Sequence, residues 1–251
     1  MTRCVTCIIV IFECQKYENV NGRIYLIPVT LGGDDFLKVI PEKVISLTRQ
    51  LRFFIVEDVR SARRFLRLID KQFPIDDTTF FELNEHTDES DIEHYLEPSF
   101  AGLDIGVLSE AGLPGIADPG AKIIALAHRK KIIVTPLSGP SSIILALISS
   151  GLNGQNFTFN GYLPVKPSDR SARLRELEKR SGEGVAQIFM ETPYRNQKML
   201  ESILSTCHSD TKLCIAIDIT LESEYIRTKR ISVWKKDVPV LNDKLVVFVM
   251  Q

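Results

Sequence analysis

The chain has 251 residues, of which 44% are apolar and 25% are charged, and its formal net charge is -1. This composition is typical of a globular protein and excludes a chain that is disordered over most of its length. The near-neutral charge excludes a strongly basic surface overall, so any contact with nucleic acid depends on a local patch.

The first 22 residues are interpreted as an N-terminal extension. The apolar stretch at residues 5–12 is too short to cross a bilayer, which takes about 20 residues. Polar residues follow it instead of a small-residue cleavage site. Cys4 and Cys7 form a C-x-x-C pair, but the further ligands of a zinc site and the strand-helix context of a redox pair are both missing. We therefore expect a cytoplasmic protein without a membrane anchor or a metal site.

From residue 23 onward, short apolar runs alternate with helical patterns, which is the rhythm of a mostly parallel sheet covered on both faces. The predicted strands of this first half are residues 24–29, 53–56, 79–83, 104–108 and 132–135. The predicted helices are residues 36–51, 60–72, 90–100 and 121–129. In the second of these helices, four apolar residues recur on one face: Ala62, Phe65, Leu66 and Ile69.

The segment P-L-S-G-P at residues 136–140 breaks this rhythm and is the predicted domain boundary. The two predicted domains are residues 23–137 and 138–251. The predicted helices of the second domain are residues 141–150, 168–180 and 195–206. Its predicted strands are residues 157–160, 185–190, 213–218, 225–228, 231–234 and 245–250. The fold class is therefore α/β, with a mostly parallel sheet in the first domain and a mixed sheet in the second.

The most informative loop is S-E-A-G-L-P-G-I-A-D-P-G at residues 109–120, between a predicted strand and a predicted helix. Ligands of parallel α/β sheets bind beyond the carboxyl ends of the strands. Glycines in such a loop let backbone amides approach a ligand closely. Glu110 lies at the strand end, where its carboxylate can accept hydrogen bonds from ribose hydroxyls or an amino group. The glycine spacing differs from the dinucleotide fingerprint and from the P-loop, and a tight connection without a ligand is the alternative.

Three further segments carry polar side chains at predicted strand ends or helix starts. In S-G-P-S-S at residues 138–142, the first-turn amides favour a carboxylate or phosphate, and simple capping is the alternative. In E-D-V-R at residues 57–60, an interaction with the helix dipole is the alternative to function. In E-T-P-Y-R at residues 191–195, Arg195 holds either the helix or an anionic substrate.

One basic segment has adjacent aromatic residues. The sequence N-G-Y-L-P at residues 160–164 is followed by four cations, Lys166, Arg170, Arg173 and Arg175. This combination suits RNA or another anionic substrate. Glu176 and Glu178 partly offset the charge, and a solvated helix face is the alternative.

In this order, the segments resemble the tetrapyrrole (corrin/porphyrin) methylase superfamily, and most closely its branch of small-subunit ribosomal RNA 2′-O-ribose methyltransferases. The family pattern runs P-x-P-I-G-N, E-D-T-R, S-D-A-G-x-P-G-I-S-D-P-G, P-G-P-S-A, G-F-L-P and Y-E-S-P-H-R. This chain has P-V-T-L-G-G at residues 28–33, then E-D-V-R, S-E-A-G-L-P-G-I-A-D-P-G, S-G-P-S-S, G-Y-L-P and M-E-T-P-Y-R. Two departures are Glu110 in place of Asp, and I-D-I-T-L at residues 217–221 in place of R-E-L-T-K.

The resemblance covers residues 23–250 and implies two α/β domains with S-adenosylmethionine in the cleft between them, a homodimer, and RNA of the small ribosomal subunit as substrate. The implied cofactor-binding residues are Leu31, Gly32, Glu110, Ala111, Gly112, Leu113, Ser141, Ser142, Met190, Glu191, Thr192, Asp218 and Val246. The candidate catalytic carboxylates are Glu57, Asp58 and Glu191. The candidate substrate-binding residues are Arg60, Arg170 and Arg195. Methylation of a small molecule such as a tetrapyrrole, or S-adenosylmethionine binding without catalysis, are the alternatives.

Overall fold

The computed structural model describes residues 21–84, 87 and 89–251, with the backbone alone for residues 89–91. Most of the predicted N-terminal extension, including the C-x-x-C pair, lies outside the described residues. Gly22 is tied to the first half of the chain, since its amide donates to the Ser99 carbonyl at 2.8 Å and its carbonyl accepts from Ser99 Oγ at 2.8 Å. The described chain contains two sheets, each of five strands.

The first sheet is built from the first half of the chain. Its strands are β1 (Ile24–Ile27), β2 (Phe53–Val56), β3 (Thr79–Glu82), β4 (Ile105–Leu108) and β5 (Val134–Pro136). Their spatial order is β3-β2-β4-β1-β5, and every pairing is parallel. The surrounding helices are α1 (Glu42–Gln50), α2 (Val59–Ile69), α3 (Glu89–His94), α4 (Glu97–Phe100) and α5 (Gly120–Arg129). The prediction of a mostly parallel sheet is confirmed.

Apolar side chains cover both faces of this sheet. Helix α2 shows how the sequence produces the packing, because the face predicted from its periodicity is the buried one: Ala62, Phe65, Leu66 and Ile69. Burial of each larger side chain is worth about 1.5–3 kcal/mol. In β4, Gly106 allows a close approach, since a Cβ there would lie 2.6 Å from Ile27 Cδ1.

The second sheet is mixed, as predicted. Its strands are β6 (Phe157–Tyr162), β7 (Ala186–Met190), β8 (Lys212–Ile217), β9 (Tyr225–Arg230) and β10 (Val246–Met250). In the order β6-β7-β10-β8-β9, only the β6–β7 pairing of the described strands is parallel. The surrounding helices are α6 (Ser142–Ser150), α7 (Pro167–Gly182), α8 (Asn196–Thr206) and α9 (Ile231–Trp234). The chain crosses from the first sheet to the second between β5 and α6.

Three predicted elements were wrong. The helix predicted over residues 90–100 is two short helices, α3 and α4, separated by a turn. The helix predicted over residues 36–51 is a 3-10 turn at Phe36–Lys38 followed by α1, because Pro41 cannot lie inside a helix and instead precedes its first turn. The strand predicted over residues 231–234 is the short helix α9. Its buried residues Ile231 and Trp234 are three positions apart and so lie on one helical face.

Candidate cofactor-binding site

A cavity of about 300 Å³ lies where the carboxyl ends of the first sheet face the second sheet. This volume is at the lower end of the range for ligand pockets, which is about 300–1,000 Å³. Residues from the first half line one wall: Leu31, Glu57, Ser109, Glu110, Ala111, Gly112, Leu113, Ile116, Ala117 and Asp118. Residues from the second half line the other: Ser141, Ser142, Ile143, Tyr162, Met190, Glu191, Thr192, Pro193, Ile219, Leu245, Val246 and Val247.

The structure brings most of the predicted site residues together around this cavity. The predicted cofactor residues that line it are Leu31, Glu110, Ala111, Gly112, Leu113, Ser141, Ser142, Met190, Glu191, Thr192 and Val246. Two of the candidate catalytic carboxylates, Glu57 and Glu191, also line it. The predicted residues outside the lining of the cavity, as described, are Gly32, Asp58, Arg60, Arg170, Arg195 and Asp218.

The loop at residues 109–120 is held in shape by its own hydrogen bonds. The carboxylate of Asp118 accepts from the Gly115 amide at 2.9 Å and from the Gly120 amide at 2.7 Å. Burial raises the pKa of Asp118, and these two amides partly offset the rise. Gly112 has φ +74°, and its carbonyl accepts from the Val29 amide at 2.9 Å. The loop is therefore fixed against the end of β1, with Gly112 in a conformation that favours glycine.

Gly32 and Asp218 are outside the described lining of the cavity, although their neighbours Leu31 and Ile219 belong to it. Gly32 and its neighbour Gly33 are covered by Leu221, which lies 3.4 Å and 3.1 Å from the positions that a Cβ would take. The Asp218 carboxylate accepts from Lys244 Nζ at 2.7 Å, Ser223 Oγ at 2.8 Å and the Leu245 amide at 3.1 Å. Although burial opposes it, these bonds lower the pKa of Asp218. Asp218 thus positions the cavity residue Leu245, and its direct contact with a cofactor stays a prediction.

The loop that contains Asp218 also crosses to the first half of the chain. Lys38 Nζ donates to the Thr220 carbonyl at 3.2 Å. Thr220 itself has φ +75°, in the left-handed region that a branched side chain rarely adopts. Together with the contact of Leu221 on the two glycines, this bond joins the two halves at one rim of the cavity.

Glu191 is a buried carboxylate with one unpaired oxygen. Its side chain is 0% exposed, and its Oε1 accepts from Arg195 Nη2 at 2.6 Å and from the Thr192 amide at 2.8 Å. Its Oε2 has no hydrogen-bond partner in the described part of the chain. Leaving a buried polar atom unpaired is costly. A hydrogen-bond donor on a ligand in the cavity would satisfy this oxygen.

Glu57 lines the same cavity from the opposite half of the chain. Its Oε2 accepts a long hydrogen bond of 3.4 Å from the Glu110 amide. Burial raises the pKa of Glu57 most strongly, and the negative charges of Glu110, Asp118 and Asp58 raise it further. Carboxylates from both sheets thus line the same cavity, an arrangement that favours a ligand with positive charge and hydrogen-bond donors.

The remaining predicted residues have other partners. Asp58 caps α2, since its Oδ1 accepts from the Ser61 amide at 2.6 Å, and this bond lowers the pKa of Asp58. Arg60 is exposed on the first turn of the same helix. Arg170 is buried and donates to Ser202 Oγ at 2.9 Å and to the Val165 carbonyl at 3.0 Å. Arg170 therefore ties α7 to α8 and lies outside the cavity lining as described, and its role in substrate binding stays a prediction.

Tyr162 is a cavity residue that belongs to the predicted aromatic and basic segment at residues 160–164 but was not among the predicted site residues. The register of β6 shifts between Phe159 and Tyr162, and Gly161 has φ +61°. Asn160 stabilises this bulge, since its Nδ2 donates to the Ile188 carbonyl at 3.3 Å. A β-bulge re-aims the side chain that follows it, and Tyr162 lines the cavity while remaining 55% exposed. The glycine directly after the predicted strand was the available signal.

Other features of the described chain bear on ligand class. No helix in residues 21–84, 87 and 89–251 is long and apolar enough to cross a membrane. The same residues contain no cluster of three or more His, Cys, Asp or Glu side chains placed to bind a metal ion.

The sequence profile of the tetrapyrrole (corrin/porphyrin) methylases matches residues 23–232. The chain is 29% identical over 204 residues to a protein of Vibrio cholerae named ribosomal RNA small subunit methyltransferase I, covering 81% of this chain and 67% of that relative. A protein of the same name from Streptococcus pyogenes serotype M3 is 30% identical over 213 residues, covering 84% and 70%. The crystal structure of the methyltransferase CobJ has the same fold, with a TM-score of 0.59 over 91% of this chain and 93% of that chain at 16% identity.

Proposed function

We propose that this chain, which belongs to the tetrapyrrole (corrin/porphyrin) methylases and is a methyltransferase, transfers the methyl group of S-adenosylmethionine to a ribose 2′-hydroxyl of small-subunit ribosomal RNA. The observation that carries the proposal is the convergence of the resembling segments from both halves of the chain on one cavity. The substrate class is supported by the names of relatives that match more than four-fifths of the chain.

The residues around the cavity fit S-adenosylmethionine. Its sulfonium and amino groups are positively charged, and the carboxylates of Glu57, Glu110 and Glu191 surround the same space. The unpaired Glu191 Oε2 needs a donor, which an amino or hydroxyl group of the cofactor supplies. Gly112 keeps side-chain bulk out of the loop, and the first turn of α6 at Ser142 offers backbone amides.

When bound, S-adenosylmethionine supplies an electrophilic methyl group on sulfur. The protein then has to align the nucleophile with that methyl group and exclude water. A ribose hydroxyl is weakly acidic, so a base is needed, and the most effective base has a pKa near the working pH. Glu57 fits this role best, because burial raises its pKa. Its carboxylate takes the hydroxyl proton at an oxygen atom.

The other two carboxylates fit the role of base less well. Glu191 already accepts from Arg195 and Thr192 through its Oε1. Asp58 caps α2 and lies outside the cavity lining in the described chain. We propose that Glu191 binds the cofactor, that Asp58 positions Glu57 by fixing the start of α2, and that Arg60 and Arg195 hold phosphates of the substrate. A ribosomal RNA substrate also implies that the protein acts in the cytoplasm.

We propose in addition that the protein is a homodimer. Helix α6 contains no charged residue, yet Ile144 is 43% and Ile148 is 69% exposed. These residues are four positions apart and so lie on one face of the helix. A helix that is apolar on its exposed face is stabilised by covering that face. A second copy supplies the same apolar face, as a symmetric dimer requires.

The test is transfer of a tritiated methyl group from S-adenosylmethionine to small ribosomal subunits from cells that lack this protein. We expect label in ribose at one defined RNA nucleotide, and a loss of label with Glu57→Gln. Label in a small-molecule extract but not in RNA would overturn the proposal and indicate a small-molecule methyltransferase. The absence of two basic residues of the family pattern at residues 217–221 favours this alternative. Calorimetric binding of S-adenosylmethionine without transfer to either substrate would show a non-catalytic protein.

A further inference from the structure

Helix α2 carries a stripe of arginines on the face opposite its buried apolar residues. Arg60, Arg63, Arg64 and Arg67 are spaced i, i+3, i+4 and i+7, and all four are exposed. This spacing places them side by side along the helix. The stripe spans about 10 Å, from the helical rise of about 1.5 Å per residue. No acidic residue occurs within the helix itself.

These like charges are not compensated as on an ordinary solvated helix, where acidic residues alternate with basic ones. Among the described residues, none of the four arginines forms an ion pair. Neighbouring like charges on a helix repel, and Arg60 also opposes the positive end of the helix dipole. Asp58 lies at the helix start, but its Oδ1 already accepts from the Ser61 amide, a bond that lowers its pKa, and the charges of Arg60 and Arg64 help to lower it. The stripe therefore has no ion-pair partner in the described chain, although Arg67 Nη1 donates to the Lys71 carbonyl at 2.7 Å.

The stripe begins at the rim of the candidate site. Glu57, which lines the cavity, directly follows β2, and Arg60 is only three residues further on. Arg63 lies 5.4 Å from the ring centroid of Phe80, which places an aromatic ring beneath the charge. The apolar face of α2 is buried against the sheet, so the helix has no free apolar side chains with which to enter a membrane.

By contrast, the basic residues of α7 largely have partners within the protein or acidic neighbours on the same helix. Arg170 is buried, and Arg173 donates to Glu176 and to Asn160. The remaining cations of α7 are interspersed with Glu176 and Glu178.

We infer that the arginine stripe on α2 is the docking surface for the phosphate backbone of the RNA substrate, beside the cleft in which methyl transfer takes place. This inference rests on the proposed function and specifies where the substrate is held outside the reaction site. Arginine suits the role, because its guanidinium stays charged and can bind two phosphate oxygens at once. The stripe contributes affinity and orientation rather than chemistry.

The test compares two triple variants, each lacking three charges. The first is Arg60→Gln/Arg64→Gln/Arg67→Gln in the stripe. The matched control is Lys179→Gln/Lys235→Gln/Lys236→Gln, which removes three exposed lysines of the second half. Binding of each protein to small ribosomal subunits from cells that lack it is measured over a range of salt concentrations, and S-adenosylmethionine binding is measured by calorimetry.

We expect the stripe variant to bind the subunits about 10–100-fold more weakly. The slope of log affinity against log salt concentration should decrease in magnitude by about 2–3, because each lost phosphate contact reduces it by about 0.7–0.9. Its affinity for S-adenosylmethionine should stay within about twofold. The control should keep the wild-type slope. The charge-conserving variant Arg60→Lys/Arg64→Lys/Arg67→Lys should retain most of the slope, which separates loss of charge from loss of fold.

The inference is overturned if the wild-type protein methylates the subunits and the stripe variant binds them like the control; the proposed function then stands. Failure of the wild-type protein to bind or methylate the subunits overturns both. A further experiment measures binding of the wild-type protein and the stripe variant to vesicles of phosphatidylglycerol. Binding of the wild type to vesicles as tightly as to subunits, abolished in the stripe variant, would assign the stripe to a membrane surface instead.

Discussion

The carboxylate of Glu191 and the guanidinium of Arg195 lie 2.6 Å apart across one turn of chain between β7 and α8, and this bond uses only one of the two carboxylate oxygens. The ion pair fixes the direction in which the second oxygen points. The same pair therefore supports the fold and prepares a hydrogen-bond acceptor for a ligand.

Arg195→Met should lower the free energy of unfolding by about 1–3 kcal/mol, because it leaves a buried carboxylate without its charged partner. Urea denaturation measures the change. The control Arg175→Met removes an exposed arginine outside the cavity and should change the free energy by less than about 0.5 kcal/mol. Equal stability of the two variants would show that the Glu191–Arg195 pair adds nothing to the fold.

Gly112→Ala should weaken S-adenosylmethionine binding by about tenfold, or about 1.4 kcal/mol. Gly112 has φ +74°, and a Cβ there would lie 3.2 Å from Leu31 Cδ2 and 3.4 Å from the Pro140 carbonyl oxygen. A methyl group would therefore strain or shift the loop that lines the cavity. Gly154→Ala is the matched control, since nothing lies within 4 Å of a Cβ there. Calorimetry measures both, and unchanged affinity in Gly112→Ala would exclude the loop from the binding site.

Glu57→Gln should change the pH dependence of stability with a definite sign. Burial raises the pKa of Glu57 in the folded state, so its stabilising contribution is fully present below its unfolded pKa and is lost as pH rises through the folded pKa. The variant should therefore gain stability relative to wild type at about pH 7, and the gain should disappear below about pH 4. Chemical denaturation at both pH values measures the difference.

A second carboxylate gives the opposite sign in the same experiment. The Ser61 amide lowers the pKa of Asp58, so the stability that Asp58 contributes is present above its unfolded pKa and is lost as pH falls through the folded pKa. Asp58→Asn should be less stable than wild type at about pH 7 and should approach it below about pH 4. The same direction of change in both variants would contradict the environments assigned to these two residues.

Tyr162→Ala should weaken binding of the ribosomal subunits by about 5–100-fold, because stacking of a base on an aromatic ring is worth about 1–3 kcal/mol. The ring lies at the cavity and is 55% exposed, as a stacking platform requires. Tyr162→Phe keeps the ring and should bind like the wild type. Competition binding with labelled subunits distinguishes the two, and equal losses in both variants would assign the role to the hydroxyl group.

Ile148→Glu should convert the proposed dimer to a monomer, because it places a charge in the exposed apolar face of α6. Sedimentation velocity measures the change in mass. Val240→Glu is the control, since Val240 is 74% exposed and lies outside α6. A wild-type protein that sediments as a monomer at micromolar concentration would contradict the dimer.

Periodic patterns in the sequence were sufficient where a structural element depends on its own residues. The strand predicted at residues 53–56 has those bounds in the structure, and the buried face of α2 is the predicted one. The four residues of α9 are too few to show a period. Their helical state is stabilised by tertiary contacts, among them the bond from Trp234 Nε1 to the Leu213 carbonyl at 2.9 Å.

In the candidate site, too, local features could be predicted from the sequence and long-range contacts could not. The loop at residues 109–120 could be selected from its composition, because glycines, prolines and a carboxylate at a strand end have local meaning. The hydrogen bond from Arg170 to Ser202 and the packing of Leu221 against Gly32 could not be predicted in this way, because each joins residues that are far apart in the chain. Only the folded structure shows which charged side chains form ion pairs or internal hydrogen bonds and which, like Arg60 among the described residues, form no ion pair.

The cavity lies between two halves whose most extensive packing is internal to each half. Two contacts that cross between the halves are the hydrogen bond from Lys38 to the Thr220 carbonyl and the packing of Leu221 against Gly32. A ligand that binds both walls then acts as a linker whose affinity is added to the stability of the folded state. Saturation with S-adenosylmethionine should therefore make thermal unfolding of the two halves more cooperative. The cofactor would then stabilise the association of the two halves as well as supply the methyl group.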